Sequence, residues 1–272
     1  MSASLPETPL NIALIGCGKM GSALLKGWLK HLPQHSYQVI QPDPLPSDLE
    51  GRDFAYHESI PDDFICDIIV FATKPQIMDQ VLEGYRDKLS QTTLVLSVAA
   101  GSALSYFEQQ LSPDQPLIRA MPNTPAAIGA GITALCANGH VSDAHKQQAD
   151  TLLSAVGETV WLKDEALMDV VTAVSGSGPA YVFYLIEALS TAGQKAGLPE
   201  NLAVKLARQT VIGAGALADH NAEMKASQLR EAVTSPGGTT EAALRVLMDG
   251  VWQDTLSKAV HAATQRSKEL SS

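Results

Sequence analysis

Gly16-Cys17-Gly18-Lys19-Met20-Gly21 follows the apolar, β-rich run Ile12–Ile15 directly and leads into Met20, Ala23, Leu24, Gly27 and Trp28, spaced as one face of a helix. A Gly-x-Gly-x-x-Gly string becomes a dinucleotide fingerprint only when a strand precedes it and a helix follows, and both conditions hold here. Gly16 permits the tight turn, Gly18 lets backbone approach a pyrophosphate, Gly21 allows helix and strand to pack closely, and the helix end supplies amide donors. Gly16, Gly18, Lys19, Met20 and Gly21 are therefore cofactor-binding candidates. A glycine turn without a ligand is the plainer alternative.

Short β-rich runs continue at Gln38–Ile40, Ile68–Ala72, Leu94–Val98, Leu117–Ala120, Ile132–Ala137 and Thr159–Leu162, separated by helical patterns. That alternation predicts a parallel, doubly wound sheet covered on both faces. Beyond Asp164 the strand signal stops and Ala-rich helical patterns run to the C-terminus. At 272 residues the chain exceeds the span of one ordinary core. The expected fold is α/β: a Rossmann-type domain over residues 1–163, then an all-α domain over residues 164–272. The helices Ala180–Leu189 and Leu202–Leu217 are apolar around much of their circumference. They are expected to bury that surface in a homo-oligomer, a dimer or a multiple of dimers, with tight packing inside one chain as the alternative.

A net charge of −10 opposes nucleic acid and requires any anionic ligand to be held by local amides and a few donors. Cys17, Cys66 and Cys136 fit no metal or disulfide spacing and read as buried thiols, and the seven histidines are scattered, so no metal site is expected. No apolar run reaches the roughly 20 residues of a membrane span, and Met1–Leu10 has no signal-like character, so a cytoplasmic enzyme is the simplest reading.

Asp43 stands where an acid after the second strand would meet a ribose 2′-hydroxyl, which leans to NAD; it serves equally well as a turn residue in a proline-rich loop. Thr73-Lys74-Pro75 closes the Ile68–Ala72 run at the carboxyl edge of the sheet, where ligands of such folds bind. Arg119-Ala120-Met121-Pro122-Asn123-Thr124-Pro125 ends a later strand at the same edge, with Asn123 and Thr124 on a loop stiffened by two prolines. Ser175-Gly176-Ser177-Gly178-Pro179-Ala180-Tyr181 puts small hydroxyls and glycines ahead of Pro179, which suits the first helical position, so a helix start with free amides facing a ligand is expected, with simple capping as the alternative. Thr234-Ser235-Pro236-Gly237-Gly238-Thr239-Thr240 repeats that arrangement and would suit a small carboxylate.

In this order the segments resemble the pyrroline-5-carboxylate reductase family along nearly the whole chain. The strings Ser-Gly-Ser-Gly-Pro-Ala-Tyr and Ser-Pro-Gly-Gly-Thr-Thr are its specific marks. The resemblance implies NAD(P)H-dependent reduction of L-1-pyrroline-5-carboxylate to L-proline in an oligomer built on the helical domain. It carries cofactor contacts to Gly16, Gly18, Met20, Gly21, Ala72, Lys74, Pro75 and Ala100, beside Lys19, Asp43, Thr73 and Asn123 from the residues themselves. It carries substrate contacts to Glu165, Thr172, Val233, Ser235, Gly238, Thr239 and Thr240, with Thr240, Ser235 and Thr172 as the catalytic hydroxyls. A 3-hydroxyacid dehydrogenase-like enzyme would need a lysine on the first helix of the second domain, and Val174–Thr191 has none. A non-catalytic dinucleotide sensor would not need the Ser235–Thr240 loop, which is intact.

Overall fold

The computed structural model describes residues 9–271, so most of the N-terminal stretch read above lies outside the described residues. By packing, the residues up to Gly176 and those from Ala263 onward form one unit, and Ser177–Ala262 form a second. Residues 165–176 group with the first unit because Met168 and Ala173 are fully buried, Met168 in the core under the sheet.

The first unit holds one eight-stranded sheet in the order β3-β2-β1-β4-β5-β6-β7-β8. The strands are β1 (Asn11–Ile15), β2 (Ser36–Ile40), β3 (Ala55–His57), β4 (Ile68–Phe71), β5 (Leu94–Ser97), β6 (Leu117–Met121), β7 (Gly131–Ala137) and β8 (Gly157–Trp161). The order 3-2-1-4-5-6 is that of the doubly wound dinucleotide fold. Successive residues of β1 alternate between two cores: Ile12 and Leu14 join Leu24, Leu25 and Trp28 on one face, whereas Ala13 and Ile15 join Ile69, Phe71 and Phe107 on the other. Burial on both faces explains why the central strands read as unbroken apolar runs.

Two features differ from the sequence expectation. β3 was not foreseen: it is three residues long, lies at the sheet edge against β2, and lacks a fully buried residue, so it leaves no apolar signal. β7 runs antiparallel to β6, with Arg119 opposite Cys136. Only residues 122–130 connect them, mostly as a 3-10 turn over Thr124–Ile128. That is too short for the crossover a parallel pair requires.

Helix α1 (Lys19–His31) buries Ala23, Leu24, Leu25 and Trp28. The Trp28 indole N–H donates to the Leu152 carbonyl at 2.9 Å, tying α1 to α4 (Asp143–Ser154). The remaining helices of this unit are α2 (Met78–Tyr85), α3 (Leu104–Gln110) and α5 (Met168–Val171), followed by one π-helical turn over Thr172–Gly176. The second unit consists of α6 (Gly178–Lys195), α7 (Glu200–His220), α8 (Ala226–Ala232), α9 (Thr239–Leu247) and most of α10 (Val251–Ser271). Phe183, Tyr184, Ile212, Leu217, Val246 and Trp252 of this unit are each at least half exposed in the single chain.

Candidate active site

Gly16 leaves β1 at φ +88°, a left-handed turn; a Cβ there would sit 2.9 Å from Thr73 Cγ2 and 3.2 Å from the Ala72 backbone. Glycine is required on both counts. A Cβ on Gly21 would fall 2.2 Å from the Gly16 carbonyl oxygen, so the first turn of α1 closes on the loop only without a side chain. Gly18 faces open space and is exposed, leaving backbone approachable at that point. It is the N-cap of α1, with no side-chain cap and no acid in the first turn. The helix end thus keeps its amides and positive dipole for an anion. Its last turn carries Lys30 and His31, which suit the opposite pole.

The Gly16 amide donates to the Ile40 carbonyl at 3.0 Å and the Ala72 amide to the Ile15 carbonyl at 2.9 Å. These bonds put the glycine turn, the end of β2 and Ala72-Thr73 side by side at the carboxyl edge of the sheet. Thr73 donates to the Met78 sulfur at 3.6 Å, while Lys19, Lys74, Pro75 and Ala100 are exposed. Asp43 is also exposed, and its carbonyl accepts the Tyr56 hydroxyl at 3.1 Å. Asn123 is engaged at both ends: its Nδ2 donates to the Ser175 carbonyl at 3.2 Å and its Oδ1 accepts the Ile132 amide at 3.0 Å. That side chain holds the β6–β7 connection to the π-helical turn.

Arg119, 5% exposed on β6, donates from Nη1 to Glu165 Oε1 at 2.8 Å, and the same oxygen accepts the Leu104 amide at the start of α3 at 2.9 Å. The carboxylate thereby neutralises a buried guanidinium and sits at the positive end of a helix. Glu165 was a substrate candidate from the resemblance; the structure gives it these two partners within the first unit. Arg119 was noted only as part of a loop motif, because nothing in a sequence shows that an arginine on a buried strand meets a carboxylate 46 positions later. Thr172 opens the π-helical turn, its hydroxyl bonded to the Met168 carbonyl at 2.8 Å. A wide turn of this kind ahead of Pro179 was not foreseen; such turns recur at functional sites.

In the second unit, Gly237 turns at φ +69° and Gly238 is the N-cap of α9, again with no side-chain cap. Gly238 donates to the Ser235 carbonyl at 3.0 Å, which closes the turn. Glu241 accepts the Gly237 amide and also bonds Arg245 at 3.0 Å; these contacts, the amide first, hold its carboxyl below the usual range. The loop therefore presents the start of α9, with Thr240 half-buried and Thr239 exposed, while Val233 ends α8 and is 61% exposed.

Burial pushes the Cys17 thiol up to about 11 and the Cys66 thiol to about 12, and raises Cys136 as well. All three are neutral buried groups, as expected from their apolar contexts. Among the described residues no cluster of three or more His, Cys, Asp or Glu could hold a metal ion, and no helix is long and apolar enough to cross a membrane.

A glycine turn and an uncapped helix end at the carboxyl edge of a 3-2-1-4-5-6 sheet define a dinucleotide-binding protein of the Rossmann class. Residues 11–101 match the family model for coenzyme F420-dependent NADP oxidoreductases, and residues 165–270 match the model for pyrroline-5-carboxylate reductase dimerisation. The pyrroline-5-carboxylate reductase of Pseudomonas aeruginosa is 40% identical over 97% of both chains. A solved pyrroline-5-carboxylate reductase from Coxiella burnetii superposes with a TM-score of 0.92 at 36% identity, covering 97% of this chain and 100% of its own. The Plasmodium falciparum pyrroline carboxylate reductase, solved with NADP bound, gives 0.82 at 30% identity over 97% and 98%. The chain belongs to the pyrroline-5-carboxylate reductase family and is an NAD(P)H-dependent oxidoreductase that forms homo-oligomers. The dehydrogenase-like and sensor readings find no support beside it.

Proposed function

We propose that this enzyme reduces L-1-pyrroline-5-carboxylate to L-proline with NAD(P)H, the last step of proline synthesis, in the cytoplasm. Residues 1–163 bind the dinucleotide, and residues 164–272 bind the imino acid and form a dimer or a multiple of dimers. What carries the reading, beside family membership, is the uncapped start of α9 behind Gly237 and Gly238: an amide-rich end for a small carboxylate in a chain of net charge −10. In the first unit, the turn at Gly16, the open backbone at Gly18 and the free dipole of α1 fit a pyrophosphate.

When bound, the reduced nicotinamide supplies the hydride that C5 of the ring accepts. The free first-turn amides of Thr239 and Thr240 hold the substrate carboxylate, each charge-assisted bond contributing roughly 1.5–3 kcal/mol, while Gly238, whose own amide closes the turn on Ser235, leaves room for the carboxylate beside the backbone. Arg245 balances Glu241, which would otherwise oppose an incoming anion. The Thr240 hydroxyl and the Val233 carbonyl hydrogen-bond the ring nitrogen, favouring the protonated iminium, the better hydride acceptor. Ser235 adds a further hydroxyl on the loop before α9, and Thr172 and Glu165 stand as substrate candidates on the family resemblance alone. Gly16, Gly18, Lys19, Met20 and Gly21 hold the pyrophosphate; Asp43, Ala72, Thr73, Lys74, Pro75, Ala100 and Asn123 line the rest of the dinucleotide site. No single residue serves as an obligatory acid, so water or the substrate delivers the proton.

Purified protein incubated with pyrroline-5-carboxylate should oxidise NADPH or NADH and yield proline, and parallel assays rank the two cofactors. No turnover with either would sink the assignment.

A further inference from the structure

The left-handed φ of Gly16 turns the chain out of the β1–β2 ladder just after the Gly16 amide has bonded Ile40. The next amide, on Cys17, loses the strand acceptor it would otherwise have had, and Cys17 is only 2% exposed. A buried amide without a partner is costly, and the side chain of Gln41 supplies one: its Oε1 accepts the Cys17 N–H at 2.6 Å. The other end of the same side chain points along the following loop, where Nε2 donates to the carbonyls of Asp43 at 2.9 Å and Pro44 at 3.2 Å. Pro42 and Pro44 have no N–H with which to tie that loop to itself, so its carbonyls take external donors, Gln41 and the Tyr56 hydroxyl. Backbone bonds fix Gln41 in turn, its own amide donating to the His57 carbonyl on β3 at 3.1 Å.

We infer that Gln41 is a positioning residue for the dinucleotide, registering the pyrophosphate turn against the ribose-side acid by holding the Cys17 amide with one end of its side chain and the Asp43 loop with the other. The inference rests on the reading of Gly16–Gly21 and Asp43 as the cofactor site. One side chain couples two subsites that lie on different strands, and three hydrogen bonds depend on it. A residue one methylene shorter could not be expected to span both, and an apolar residue of the same length would strand the Cys17 amide.

Wild type, Gln41→Ala and Gln41→Glu should be compared by steady-state kinetics with NADPH, NADH and pyrroline-5-carboxylate, alongside thermal melting. Gln41→Glu keeps the acceptor for Cys17 but loses both donors to the loop, so it tests the ribose side in a chain that retains the turn. The expected result for Gln41→Ala is a cofactor KM raised about tenfold for the lost bonds, with kcat at saturating cofactor and the imino-acid KM within about twofold of wild type. Gln41→Glu should raise the cofactor KM by a smaller factor and alter the NADPH to NADH ratio, because the loop that carries Asp43 loses the two backbone hydrogen bonds that place it. A cofactor KM unchanged in both variants overturns the inference, as does a rise shared equally with the imino-acid KM. If Gln41→Ala does not fold, the Gln41→Glu comparison decides on the same two criteria. Absence of turnover in wild type would instead defeat the cofactor-site reading itself.

Discussion

At the scale of single residues, the proposed chemistry is positioning by amides and hydroxyls, and Thr240 carries its sharpest test. Thr240 is half-buried in the first turn of α9, where loss of its hydroxyl removes the proposed bond to the ring nitrogen and little packing. Thr240→Ala should lower kcat/KM by a factor corresponding to about 1–3 kcal/mol, leaving cofactor KM near wild type. A variant with full activity would take the Thr240 hydroxyl out of the mechanism. The glycines at 16 and 21 were legible because each answers a local geometric demand of a strand-turn-helix unit, and Gly18 leaves open backbone between them. Gln41 was passed over because its value comes from a turn 24 positions earlier.

At the scale of elements, Arg119 and Glu165 show what alternation of strands and helices does not reveal. Their ion pair joins β6, the start of α3 and the segment leading into α5, so it ties three elements together. Arg119→Met should cost about 2–3 kcal/mol of stability, below the figure for a fully buried pair because the Glu165 side chain retains 28% exposure. The double variant Arg119→Met/Glu165→Gln should recover part of that loss, since the uncompensated carboxylate disappears. Denaturant melts of wild type, Arg119→Met, Glu165→Gln and the double variant measure this, and strict additivity would mean that the pair is not coupled. The antiparallel β7 belongs to the same scale: its apolar run was legible, but its direction depends on a connection too short to cross over.

At the scale of the molecule, the apolar residues left exposed on α6 and α7 of a single chain lie within residues 165–270, the stretch that matches the dimerisation model, and we propose that they form the interface of the homo-oligomer. Ile212→Glu places a charge on a residue 54% exposed in the single chain and should shift the particle toward monomer in light-scattering chromatography. An unchanged mass would take this part of α7 out of the interface. Stability should also depend on pH through the buried thiols. An unfolded thiol ionises near 9.0, whereas Cys17 and Cys66 stay protonated when folded up to about 11 and 12. The folded state then holds more protons, so stability is complete below pH 9 and falls as pH rises toward 11–12. Melting temperatures taken from pH 8 to 11 should show that decline, with a shallower slope in Cys66→Ala.

The sequence alone determined the βαβ start, the carboxyl-edge loops, the helical second half and the family, because these rest on periodicity and on turn chemistry within a few residues. It marked two glycine-rich helix ends as candidate anion sites, since a missing side chain and an open helix terminus are both local facts. Only the tertiary structure decided the edge strand β3, the direction of β7, the π-helical turn before α6, the pairing of Arg119 with Glu165 and the three bonds of Gln41. Each of these depends on which distant groups burial brings together. A buried guanidinium or amide must find a partner, but its identity is set by the packing of strands far apart in the chain.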